Sequence, residues 1–138
     1  MQTQQTENSR KVAFVAGAMG GMGAAICQSL ARDGLRVIAG CSPHFRFKDE
    51  WLATQRALGF DFISEEHENS DDAKLCPLLA RIEREIGHIE VLVNNAEMTG
   101  FRNLSRLACN SGARVVSIAP VEGAYRTSIW YPTGTRQH

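Results

Sequence analysis

Apolar and polar positions along this chain switch between two periods, and the switches mark its elements. Val12–Val15 is a continuous apolar run suited to a buried strand, and glycines follow at 17, 20, 21 and 23. Met22, Ala25, Ile26, Leu30 and Ala31 then recur at helical spacing with Gly34 as a stop, which predicts a helix over Met22–Asp33. Arg36–Ala39 reads as a second strand. Trp51, Leu52, Gln55 and Leu58 suit a helix from Asp49 that Gly59 ends, and Phe60–Ile63 reads as a third strand. Leu75, Leu78, Leu79, Ile82 and Ile86 mark a third helix up to Gly87, with Pro77 forcing a late start or a bend. Ile89–Val93 is apolar apart from Glu90, as in a sheet covered on both faces. This alternation predicts a doubly wound α/β sheet of about five parallel strands in the order 3-2-1-4-5.

The first strand, the glycines and the first helix form the context that a dinucleotide pyrophosphate needs. Gly17 can take positive φ to leave the strand, Gly21 removes a Cβ that would hold phosphates off the backbone, and Gly23 lets helix and strand approach closely. The helix N-terminus adds unpaired N–H groups and a partial positive charge. Candidate cofactor residues here are Gly17, Met19, Gly20, Gly21, Met22 and Gly23. The second strand runs into Gly40, Cys41 and Ser42 with no acid before Asp49, so no carboxylate stands ready for a ribose 2′-hydroxyl. With Arg46 and Lys48 following and Arg36 preceding, cations are available to a 2′-phosphate, and NADPH is expected over NADH. Gly40, Ser42 and Arg46 join the candidate contacts.

Composition narrows the picture further. At 138 residues the chain fits one domain able to bury roughly two thirds of its unfolded surface. Lys plus Arg and Asp plus Glu are both 15, so neither nucleic acid nor an anionic membrane is an expected partner. No apolar run approaches the roughly 18 residues of a membrane span, and the polar residues 1–9 read as a mobile tail without a signal core. A cytoplasmic location is expected. Cys27, Cys41, Cys76 and Cys109 lie far apart with no C-x-x-C, and the His are equally scattered, so neither metal binding nor a disulfide frame is expected. The cysteines read as reduced packing residues, with Cys41 beside a cofactor.

The spacing Gly17-x-x-x-Gly21-x-Gly23 resembles the cofactor loop of the short-chain dehydrogenase/reductase superfamily. Val37–Pro43 and Trp51–Ile63 are similar to the NADPH-dependent acetoacetyl-CoA reductases of polyhydroxybutyrate synthesis, and the likeness runs from about Arg10 to Asn95. It implies a truncated Rossmann-like domain over residues 10–118 with a degenerate tail over 119–138. Asn94-Asn95-Ala96 resembles the superfamily's Asn-Asn-Ala-Gly turn, which adds Asn95 and Ala96 as cofactor contacts, while Glu97 replaces the glycine and brings a negative charge towards the cofactor. His67, Glu68 and Asn69 fall in the adenine neighbourhood.

Past Asn95 the pattern breaks, although Gly112–Ile118 resembles the superfamily's strand that carries the catalytic Ser and is expected as the fifth strand. The superfamily reduces ketones with a Ser that binds the carbonyl, a Tyr that donates the proton and a Lys four residues later. Here Pro120 stands at the Ser position. Tyr131 is the candidate proton donor, with Thr135 where Lys belongs and Pro132 opposing a helix; Tyr125 has Ile129 four residues on. Only Leu107–Ser111 remains where a long helix belongs, so Met98–Gly112 should cross over with a turn or two of helix and leave part of one sheet face uncovered. The resemblance therefore implies an NADP(H)-binding protein of this superfamily, catalytically impaired. Its alternatives are an active 3-oxoacyl-CoA (acetoacetyl-CoA) reductase, or a non-enzymatic protein that self-associates or pairs with a full-length reductase.

Overall fold

The computed structural model describes residues 10–68, 71–101, 103–109 and 111–132. In chain order its elements are β1 (Val12–Ala16), α1 (Gly23–Arg32), β2 (Arg36–Cys41), α2 (Lys48–Ala57), β3 (Ile63–Glu66) and α3 (Asp72–Glu85). Then follow β4 (Ile89–Asn95), α4 (Ala96–Thr99), α5 (Leu104–Leu107), β5 (Arg114–Val121) and β6 (Ala124–Trp130). The strands form one sheet in the order β3-β2-β1-β4-β5-β6, parallel except for β6, which runs antiparallel to β5.

The unbroken apolar run of β1 serves two cores, because successive side chains leave a strand on opposite faces. Val12, Phe14 and Ala16 pack with Leu75, Leu79 and Ile82 of α3, whereas Ala13 and Val15 pack on the other face with Cys27 of α1. All five residues of β1 are buried, so the turn that follows leaves a fixed base.

Several sequence expectations are corrected. The sheet has six strands rather than about five, because Ala124–Trp130 of the expected tail pairs along β5 from Val121↔Ala124 to Val115↔Trp130. Glu122 and Gly123 both take positive φ (46° and 82°), the type I′ hairpin signature, and Glu122 is not a residue that advertises it. The third strand is Ile63–Glu66 rather than Phe60–Ile63. Phe60 and Phe62 instead stack 5.6 Å apart, and Trp51 of α2 meets Phe62 at 5.9 Å. Being at the sheet edge, β3 can be polar: Glu65 pairs with Arg81 at 2.7 Å and Glu66 with Lys48 at 3.3 Å. Helix α3 runs through Pro77, which is exposed.

Cys76 and Cys109 form a disulfide with a Cα–Cα distance of 5.2 Å, against the expectation of reduced thiols. Packing of α5 beside α3 brings together two cysteines 33 residues apart, a proximity that spacing does not reveal. Cys27 and Cys41 are free and buried, and burial pushes the Cys27 thiol up to about 12, consistent with packing roles. Among the described residues no helix is long and apolar enough to cross a membrane.

Candidate functional site

At the carboxyl edge of the sheet, β1 ends in Ala16 and the chain turns through Gly17 at φ 72°. The turn enters α1 at Gly23, where the space a Cβ would need is filled by the Ala18 carbonyl. Gly17 N–H donates to His67 Nε2 (3.1 Å), Ala18 N–H to the Gly40 carbonyl (2.7 Å) and Gly23 N–H to the Gly20 carbonyl (2.9 Å). Among the described residues, the N–H groups of Met19 to Met22 have no backbone carbonyl partner. They lie at the amino end of a ten-residue helix that has no side-chain cap, so this stretch can receive an anion. Met19 contributes its backbone alone, since its side chain is buried in the core beside α1.

Asn95 ties the loop to β4. Its Nδ2 donates to the carbonyls of both Gly17 (3.0 Å) and Gly20 (2.9 Å), while its buried Oδ1 has no partner among the described residues. The neighbouring Asn94 faces the other way: Nδ2 donates to Ser117 Oγ (3.0 Å) and the Phe101 carbonyl (3.2 Å), and Oδ1 accepts from the Thr99 hydroxyl. One asparagine thus holds the glycine loop and the other holds the α4 turn and β5. Ala96 opens α4 directly above them.

His67 is a determinant that sequence reading left among three neighbours without a role. It is buried beside Phe14 and Phe101, and a Cβ on Gly40 would come within 2.7 Å of its ring. Because Nε2 accepts from Gly17, the proton of the neutral ring belongs on Nδ1. Burial holds its pKa below the ordinary 6.5, opposed by the backbone and charge of Glu68. The unfolded chain therefore binds the proton first, so stability is complete above about pH 6.5 and declines as pH falls towards the lower folded value. A urea midpoint that drops from pH 7.5 to 5.5 in the native protein, and drops less in His67→Gln, is expected. The ceiling for one proton is about 1.4 kcal/mol per pH unit. Equal slopes would remove His67 as the source. Asn69 lies outside the described residues.

At the end of β2, Ser42 Oγ accepts from His44 N–H (3.1 Å) and Arg46 is exposed in the same loop. Lys48 reaches across to Glu66, whose carboxylate holds the ammonium pKa above its ordinary value. Arg36 is corrected: it opens β2 opposite Val12, at the amino edge away from the loop.

A short chain dehydrogenase family model matches residues 11–127. The chain belongs to the short-chain dehydrogenase family. The chain is 44% identical over 101 residues to the acetoacetyl-CoA reductase of Cupriavidus necator, covering 71% of this chain and 41% of that protein. Nodulation protein G of Azospirillum brasilense is 48% identical over 91 residues, 66% of this chain and 37% of that one. This chain thus spans about two fifths of the length of these relatives. Among solved structures, that of gox2181 aligns with a TM-score of 0.64 at 17% identity over 92% of this chain and 62% of its own. The 2-keto-3-deoxy-D-gluconate dehydrogenase of Streptococcus agalactiae aligns at 0.55 and 23% identity over 69% and 36%. These two share the fold.

Among the described residues, the family's reductive residues are not assembled. Pro120 stands near the end of β5, where it pairs with Tyr125 across the hairpin. Tyr131 follows Trp130, which pairs with Val115, and β5 runs in register with β4 and β1. That places Tyr131 at the amino edge, opposite the glycine loop, so its expected role as proton donor beside the cofactor is corrected. An antiparallel strand where a degenerate tail was expected carries it there. Thr135 lies outside the described residues. The tyrosine at the carboxyl edge is Tyr125, about half exposed. A cleft of about 500 Å³ beside it is lined by Phe101, Leu104, Ser117, Pro120 and Ser128.

Proposed function

We propose that this chain binds NADP(H) on the Gly17–Gly23 loop and lacks independent reductase turnover. Support comes from a contrast along one sheet edge. The loop is pinned by Asn95 at an uncapped helix N-terminus, whereas Pro120 offers no hydroxyl and Tyr131 stands on the far edge. The backbone cradle fits a diphosphate once the ends of two overlying flexible side chains, Glu97 and Met98, move aside.

Bound NADPH supplies a hydride. The protein's own residues would bind and orient it: loop N–H groups from Met19 to Met22 hold the diphosphate, and Asn95 keeps the Gly17 and Gly20 carbonyls turned away. Gly40, Ser42 and Arg46 lie where the adenosine 2′-phosphate would rest, and Ala96 beside the nicotinamide end. The acyl-CoA substrate class of the relatives, acetoacetyl-CoA, comes to this chain as a proposed ligand. A proton donor with a lysine partner is what the described edge lacks for turnover.

Titration with NADPH and NADH, followed by nicotinamide fluorescence, tests this reading. Saturable NADPH binding about tenfold tighter than NADH is expected from one charge-assisted phosphate contact, and Gly21→Asp should abolish it. Equal dissociation constants would refute the NADPH preference. Acetoacetyl-CoA-dependent NADPH oxidation above the Gly21→Asp background would refute the loss of turnover.

A second reading, pairing with a full-length reductase or self-association, is favoured by one observation. Among the described residues, no helix covers the groove of about 450 Å³ between α1 and the β4–β5 surface, lined by Ile26, Leu30, Val91, Val93, Val116 and Ile118. A monomeric protein that fails to co-purify with an intact acetoacetyl-CoA reductase would exclude it.

A further inference from the structure

Three successive residues of α4 lie on three glycines of the loop. A Cβ on Gly17 would come within 2.8 Å of Thr99 Cγ2 and 2.9 Å of Met98 Cβ. On Gly20 it would meet the end of the Met98 thioether, with Sδ at 2.6 Å, and on Gly21 it would strike a Glu97 carboxylate oxygen. Glycines that should expose backbone to a ligand are therefore roofed by this chain's own side chains.

The roof has a fixed part and a movable part. Thr99 is buried and bonded to Asn94, and Asn95 is bonded to two loop carbonyls, so the backbone of the turn is held from both sides. Glu97 and Met98 are exposed, and each has three side-chain torsions, so their ends can leave without moving the turn. Glu97 also carries a negative charge into the positive field at the amino end of α1, the field that a diphosphate would use.

We infer that Glu97 and Met98 form a side-chain cover on the cofactor cradle, which a dinucleotide must displace, so that these residues set its affinity. The inference rests on the NADP(H) reading above and concerns the regulation of that same site. The two residues act differently. Met98 excludes by bulk, and Glu97 excludes by bulk and by repelling a like charge.

The test is NADPH affinity, measured by fluorescence titration of the full chain and of Glu97→Gln, Glu97→Gly and Met98→Ala. Glu97→Gly should bind about tenfold tighter and Glu97→Gln about threefold tighter, with Gln retaining helix propensity in case Gly loosens the turn. Met98→Ala should tighten binding about threefold, with no change in salt dependence relative to the native chain. The gap between native protein and Glu97→Gln should close as salt rises from roughly 0.05 to 0.5 M, because a charge effect is screened and a steric one is not. Native binding with unchanged affinity in all three variants would overturn the cover and leave the NADP(H) reading standing. Absence of binding in the folded native chain and in Glu97→Gly alike would overturn both.

Discussion

Gly23→Ala is expected to lower stability by about 4 kcal/mol, a large share of the roughly 5–15 kcal/mol that holds a domain of this size together. The reason is space, not backbone dihedral. The added methyl would overlap the Ala18 carbonyl and lie 2.8 Å from Ala18 Cα. Ala18 cannot retreat easily: it is buried, and its N–H donates to the Gly40 carbonyl at 2.7 Å. Helix α1 would have to lift instead, withdrawing Cys27, Ile26 and Leu30 from the core formed with Ala13, Val15 and Val91. Gly34→Ala is the informative contrast. Gly34 has φ 91° but nothing within 4 Å of its would-be Cβ, so the change should cost only about 1–2 kcal/mol of backbone strain. Urea denaturation of both variants, followed by far-UV circular dichroism, separates the cases. A Gly23→Ala midpoint equal to that of Gly34→Ala would mean that the helix–strand contact is soft.

The elements that could be read in the sequence are those whose burial has one cause. Val12–Val15 lies between two helical layers, so its unbroken apolar run identified it, and the glycine spacing identified the turn after it. Phe60–Ile63 misled because aromatic residues suit both strands and side-packed loops, and here Phe60 and Phe62 serve α2 while the polar Ile63–Glu66 forms the edge ladder. Ala124–Trp130 was hidden by its exposure, since a strand with hardly any buried residue leaves no alternation to detect. The consequence reaches the site: reading that stretch as a tail gave Tyr131 freedom that β6 removes. The buried His67 and the roof formed by Glu97 and Met98 depend on contacts between residues 50 or more apart, which no local pattern encodes.

Asn94→Asp should cost about 3 kcal/mol at neutral pH while changing the size of the side chain hardly at all. Asn94 is fully buried and uses both ends of its amide, donating to Ser117 Oγ and the Phe101 carbonyl and accepting from Thr99. The Thr99 hydroxyl in turn accepts from Phe101 N–H at 3.2 Å, so the set fixes the α4 turn against β5. An aspartate would turn an oxygen towards the Phe101 carbonyl and bury a charge. Desolvation would raise its folded pKa above the ordinary value of about 3.9, so the folded state would hold its proton to higher pH than the unfolded state. Stability relative to the native protein therefore falls as pH rises through that raised value, and recovers on acidification, where a protonated acid restores one donor. His67 contributes to both proteins alike and cancels in the difference. Urea midpoints of native and Asn94→Asp chains at pH 5 and pH 8 should thus diverge towards pH 8. A gap that is the same at both values would show that the carboxylate reaches water, and that the α4 turn opens more readily than its hydrogen bonds imply.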